Sequence, residues 1–65
     1  MGYNMIALAK QNGNSINVYD ENGNHKFTRY GDELVGFTGT TVSIRESNTI
    51  KVYDENGNYK FSKYI

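Results

Sequence analysis

The sequence predicts an all-β protein made of two tandem antiparallel meanders of about 34 residues each. Three observations predict it. Asn-Gly steps at Asn22-Gly23 and Asn56-Gly57 are strong local signals for a hairpin turn. Apolar and polar residues alternate with a period of two through Ile16-Asn17-Val18 and Val42-Ser43-Ile44-Arg45. Residues 15–30, SINVYDENGNHKFTRY, return as residues 49–64, TIKVYDENGNYKFSKY, with 11 of 16 positions identical. Carrying the same offset of 34 upstream places Gly2 on Gly36 and Asn14 on Asn48, so the chain reads as one domain, 1–65, with internal repeats 1–31 and 32–65. A 34-residue period also occurs in helical repeats, but the Asn-Gly turns, the β-branched alternation and the presence of only two Ala exclude that reading.

Each element follows in order. Gly2-Tyr3-Asn4 is a strand stub, Met5 to Lys10 a strand, and Gln11 to Asn14 a turn. A two-residue type I′ turn at Asn22-Gly23 then sets Tyr19 across from Lys26, Val18 from Phe27, and Ile16 from Arg29, with Asp20 facing His25. Gly31-Asp32 links the units. The second unit has strands over Leu34 to Phe37, Thr41 to Glu46 and Thr49 to Asp54, and its own type I′ turn pairs Tyr53 with Lys60 and Val52 with Phe61. Opposed residues share a face. The expected core face therefore holds Ile16, Val18 and Phe27 with the Arg29 stem, and Ile50, Val52 and Phe61 with Lys63 and Ile65; Val42 and Ile44 also point inward.

Val18-Tyr19-Asp20-Glu21-Asn22-Gly23-Asn24 and its copy at 52–58 resemble the Tyr-Asp…Gly heart of YD (RHS-type) repeats. Those repeats build β-rich shells in large surface proteins. The resemblance implies a β-hairpin repeat and carries no activity across. The spacing here is longer than in a typical YD repeat, and two copies cannot wrap a shell.

The composition excludes several classes. No Cys is present, which removes disulfides, a thiolate metal site and a Cys nucleophile, and favours a cytoplasmic setting. Seven basic residues balance seven acidic ones, so bulk neutralisation of phosphates is not the source of any affinity. The apolar run Met5 to Ala9 is too short for a membrane span or a signal core, and no membrane association is expected. Asp20-Glu21-Asn22-Gly23-Asn24 lacks the sixth-position Gly and twelfth-position acid of a calcium loop. His25 has no counterpart in the second unit, where Tyr59 stands, so a duplicated catalytic site is not read. Neither a cofactor nor a metal is expected, and the chain is read as no enzyme.

A four-stranded meander of this length matches one blade of a β-propeller, with a small sandwich or barrel as the rival. Chains below about 70–80 residues seldom stabilise a core alone. Their exposed sheet edges invite pairing with a second copy. The expected role is therefore a non-catalytic structural or interaction module acting as a homo-dimer or homo-trimer, in which two blades per chain give four or six. Tyr19, Lys26, Tyr30, Lys51, Tyr53, Lys60 and Tyr64 fall on one predicted face, with Arg45 near them. This set is expected to serve either as a subunit interface, where Tyr is enriched, or as a platform for a glycan or single-stranded nucleic acid.

Overall fold

β-branched residues at every second position in 15–20, 41–46 and 49–54, with reversals at Asn-Gly and Ser-Asn steps, favour short strands in a computed structural model that describes residues 5–65. Seven strands form: β1 (Ile6–Asn12), β2 (Ser15–Asp20), β3 (His25–Tyr30), β4 (Glu33–Phe37), β5 (Thr41–Glu46), β6 (Thr49–Asp54) and β7 (Tyr59–Tyr64). They build two antiparallel meander sheets, β1-β2-β3 and β4-β5-β6-β7, and the described residues include no helix. The predicted stub at 2–4 lies outside the described residues. The first strand runs two residues further than expected, so the turn after it is only Gly13-Asn14.

The β2–β3 and β6–β7 turns differ from the predicted type I′. Gly23 and Gly57 have positive φ (83° and 88°), whereas Asn22 and Asn56 do not. The Gly23 N–H donates to the Asp20 carbonyl at 3.0 Å, and the Asp20 N–H donates to the Asn24 carbonyl at 2.9 Å. This is a type I turn followed by a left-handed Gly and a bulge. The cause is the aspartate ahead of the turn. Asp20 Oδ1 accepts the N–H groups of Asn22 and Asn24, both at 2.9 Å, and Asp54 Oδ1 accepts those of Asn56 and Asn58 at 2.8 and 2.9 Å. Such a carboxylate satisfies turn donors that a two-residue loop would leave to solvent.

The extra turn residue is absorbed by a bulge near the strand ends. Val18↔Phe27 and Ile16↔Arg29 keep the expected register, but Tyr19 now pairs with His25 and Tyr53 with Tyr59. Asp20 is thus not the cross-strand neighbour of His25.

One hydrophobic cluster joins the sheets: Ile6, Ala9, Ile16 and Val18 from the first, Val42 and Ile44 from the second, with Phe27, Leu34 and Tyr53 packed against it. Here the structure corrects the predicted core. The two-residue turn Ser47-Asn48 pairs Glu46 with Thr49, and so Val42 with Tyr53, Ile44 with Lys51, Ser43 with Val52 and Arg45 with Ile50. Val42 and Ile44 therefore share a face with Tyr53, and that face meets the first sheet. Ile50, Val52 and Phe61 turn the other way. Val52 is buried, Ile50 is half-buried, Phe61 is 49% exposed, and Lys63 and Ile65 are exposed.

Polar brackets fix one sheet against the other. The Ile6 N–H donates to the Gly39 carbonyl at 2.7 Å. Gln11 Nε2 donates to the Asp32 carbonyl at 2.9 Å, and Gln11 Oε1 accepts the Leu34 N–H at 3.1 Å. In the linker the Asp32 N–H donates to the Arg45 carbonyl at 2.8 Å, while Asp32 Oδ2 accepts the N–H of Ser47, which has φ 56°.

Candidate functional site

The eight residues read from the sequence as one Tyr/basic surface are divided between the two sheets and their faces. Tyr19 and Tyr30 lie on the face of β2 and β3 that points away from the second sheet, with Lys26 in the bulge between the Val18↔Phe27 and Tyr19↔His25 pairs. Lys51, Tyr53 and Tyr64 lie on the equivalent face of the second sheet, which is the one turned toward the first sheet. Arg45 is on the far side of the second sheet beside Ile50. Lys60 occupies the bulge equivalent to that of Lys26, and Tyr64 ends β7 with 87% of its surface exposed. Tyr19 and Tyr30 are parted from Lys51, Tyr53 and Tyr64 by the stacking of one sheet on the other, and Arg45 by the β5–β6 register, which sets it on the opposite face from Lys51.

The charged members are held by local partners. Arg45 Nε donates to Glu33 Oε1 at 2.9 Å and Arg45 Nη1 to the Ser47 carbonyl at 2.9 Å. Lys51 Nζ reaches Glu46 Oε1 at 2.7 Å, and this hydrogen bond raises the lysine pKa above its ordinary value. Exposed ion pairs of this kind contribute little to stability. On the outer face of the first sheet the Tyr19 and His25 rings meet edge to face at 5.8 Å, His25 Nε2 is bonded to Thr28 Oγ1 at 2.8 Å, and Thr28 Oγ1 donates to Asn17 Oδ1 at 2.7 Å. Tyr53 and Tyr59 repeat the edge-to-face contact at 6.1 Å, and the Tyr59 hydroxyl bonds Ser62 as His25 bonds Thr28. His25 and Tyr59 thus fill one structural role, an aromatic ring tied by its polar tip to a hydroxyl three residues on.

The seam between the sheets carries the most specific geometry. The Arg29 guanidinium lies 5.8 Å from the Phe27 ring centre and 5.1 Å from that of Tyr53, and Arg29 Nη2 donates to the Gly57 carbonyl. Its charge is therefore spent on two ring faces and a turn carbonyl, a cation–π arrangement spanning both sheets. Phe27 covers Gly57, which is buried. Sequence reasoning found the Arg29 stem beside the core but not its partners in the second sheet, and it missed Gln11, for which no local pattern gives a signal.

An open cleft of about 270 Å³ lies beside this seam, lined by Asp20, His25, Lys26, Phe27, Glu55 and Asn56. Two of its polar groups serve the fold: Asp20 holds its turn and His25 is tied to Thr28. Among the described residues, no three His, Asp or Glu side chains gather to hold a metal ion.

The Asp54 carboxylate gives the second turn an acid response. The Asn58 N–H donated to Asp54, helped by Asn56 and Lys60, holds that carboxyl below its ordinary pKa. A depressed folded-state pKa contributes stability that is complete above the unfolded value of about 4 and is lost as pH falls through the depressed value. The amide signals of Asn56 and Asn58 are expected to lose exchange protection below about pH 4, and an Asp54→Asn variant to lack this transition. A titration midpoint at or above the ordinary carboxylate value would sink the assignment.

No known protein family, curated protein or solved structure matches this chain.

Proposed function

We propose that the chain is a non-catalytic interaction module that functions as a homo-oligomer, its residues 1–31 and 32–65 being two copies of one β-meander unit. The observation that carries this is the apolar surface left uncovered on so small a fold. Leu8, Val35, Phe37, Phe61 and Ile65 are all exposed, while the joint core numbers six buried residues among those described. A chain of 65 residues has little margin for such exposure, and covering it with a second copy both removes apolar area from water and supplies the stability that a small core lacks. The four edge strands β1, β3, β4 and β7 contain no Pro to discourage association.

The test is absolute mass by light scattering after size exclusion over a concentration series. A dimer or trimer that persists on dilution is expected; with two units per chain these correspond to propeller-like rings of four or six blades. A mass that stays at 7.4 kDa across the series overturns the proposal.

A further inference from the structure

Resting on the homo-oligomer reading, we infer that copies of this chain associate head to tail through their sheet faces, repeating between chains the contact that joins the two sheets within one. The first sheet meets the second through Ile16, Val18, Phe27 and Arg29. Shifted by 34 positions, the same set is Ile50, Val52, Phe61 and Lys63, and in the second sheet it lies outside the cluster that joins the sheets, with Val52 buried, Ile50 half-buried and Phe61 and Lys63 exposed. The surface that receives the first set is Val42, Ile44, Tyr53 and Gly57. Its equivalents in the first sheet are Leu8, Lys10, Tyr19 and Gly23, and these too lie on an outward face or turn. Among the described residues, each chain therefore presents one donor face and one acceptor face of matching design.

The internal contact specifies the external one in detail. Phe27 lies on Gly57 so closely that a Cβ there would stand 2.9 Å from Phe27 Cγ, whereas Gly23 has nothing within 4 Å. In the assembly Phe61 covers Gly23 of the next copy. Arg29 lies over Tyr53, so Lys63 lies over Tyr19 of the next copy, exchanging one cation–π donor for another. Leu8, 50% exposed, takes the place of Val42 under Ile50 and Val52. One position departs from the template: Lys10 stands where Ile44 stands, and its aliphatic stem rather than a branched side chain lines the contact. Unlike faces make a heterologous interface, which closes into a ring when the rotation permits.

A complementation experiment tests this. Leu8→Glu blocks the acceptor face and Phe61→Glu the donor face. Both side chains are half exposed, so each variant is expected to keep the wild-type far-UV circular dichroism. Each alone should run as a monomer, and an equimolar mixture should form a 1:1 dimer of twice the 7.4 kDa chain mass, joined through the one intact face of each partner. Should either glutamate variant unfold, Leu8→Asn and Lys63→Glu are mixed and read in the same way. Variants that stay oligomeric alone overturn the face assignment while leaving the homo-oligomer intact, the result for edge-to-edge pairing. Monomeric variants that do not complement overturn the head-to-tail geometry. A monomeric wild type removes the homo-oligomer itself.

Discussion

Ile16→Ala is expected to cost about 2–5 kcal/mol, and Ile50→Ala about 1 kcal/mol or less. The two isoleucines occupy equivalent places in nearly the same 16-residue sequence, and by local pattern alone they should behave alike. Packing separates them. Ile16 is fully buried in the cluster that joins the sheets, so truncation leaves a void lined by residues of both. Ile50 is half-buried on the far side of the second sheet, where water fills the space of a lost side chain. The comparison belongs in the monomeric Phe61→Glu background, where no second copy shields Ile50. Urea unfolding followed by circular dichroism reads it. A small domain with only about 3–5 kcal/mol to lose is expected to be largely unfolded by Ile16→Ala. Equal losses at the two positions would show that the faces of β6 are assigned wrongly.

Gly57→Ala is expected to cost about 3 kcal/mol or more, and Gly23→Ala about 1–2 kcal/mol. Both glycines are left-handed, at φ 88° and 83°, so an L side chain at either meets the same backbone penalty. The difference lies in what surrounds them. A Cβ at Gly57 meets the Phe27 ring at 2.9, 3.1 and 3.3 Å, and the ring is pinned between the core and Arg29. Relief requires moving the turn whose carbonyl Arg29 holds. At Gly23 the space is open. Thermal or urea unfolding in the Phe61→Glu background isolates the intramolecular effect, since Phe61 of another copy is then removed. A penalty at Gly23 matching that at Gly57 would sink the Phe27 contact as its cause.

Much of this fold was legible because its signals are local. The alternation around Ile16-Asn17-Val18 and the Asn-Gly steps located β2, β3, β6 and β7, and the inner pairs Val18–Phe27 and Ile16–Arg29 came through in register. The turn type was missed although its cause is in the sequence: Asp two residues before Asn-Gly, with Asn after it, supplies a carboxylate for the turn donors. The core was half right for a geometric reason. A two-residue Ser47-Asn48 turn forces residues of opposite parity onto one face, so Val42 and Ile50 cannot both point inward, a constraint available from numbering alone. Within each sheet the tyrosines of the Tyr/basic set do share a face, while Arg45 falls on the other one and Lys26 and Lys60 fall in bulges; what parts Tyr19 from Tyr53 is the stacking of the sheets. The partners of Arg29 and Gln11 were not legible. They depend on how one sheet lies over the other, a relation carried by no short stretch of chain.

That parity constraint also gives the molecule a direction. Because the apolar residues of β5 and those of β6 emerge on opposite sides, a unit has a front and a back of different character. Stacking such units preserves the difference, as bricks with a stud above and a socket below remain open at both ends of any column. Inserting a third copy into the gene would lengthen the column without hiding the front of the first unit or the back of the last. In the proposed head-to-tail assembly, the two faces by themselves therefore set no copy number. Its size must be limited either by curvature that brings front to back or by a terminal unit of different sequence, as in other linear arrays.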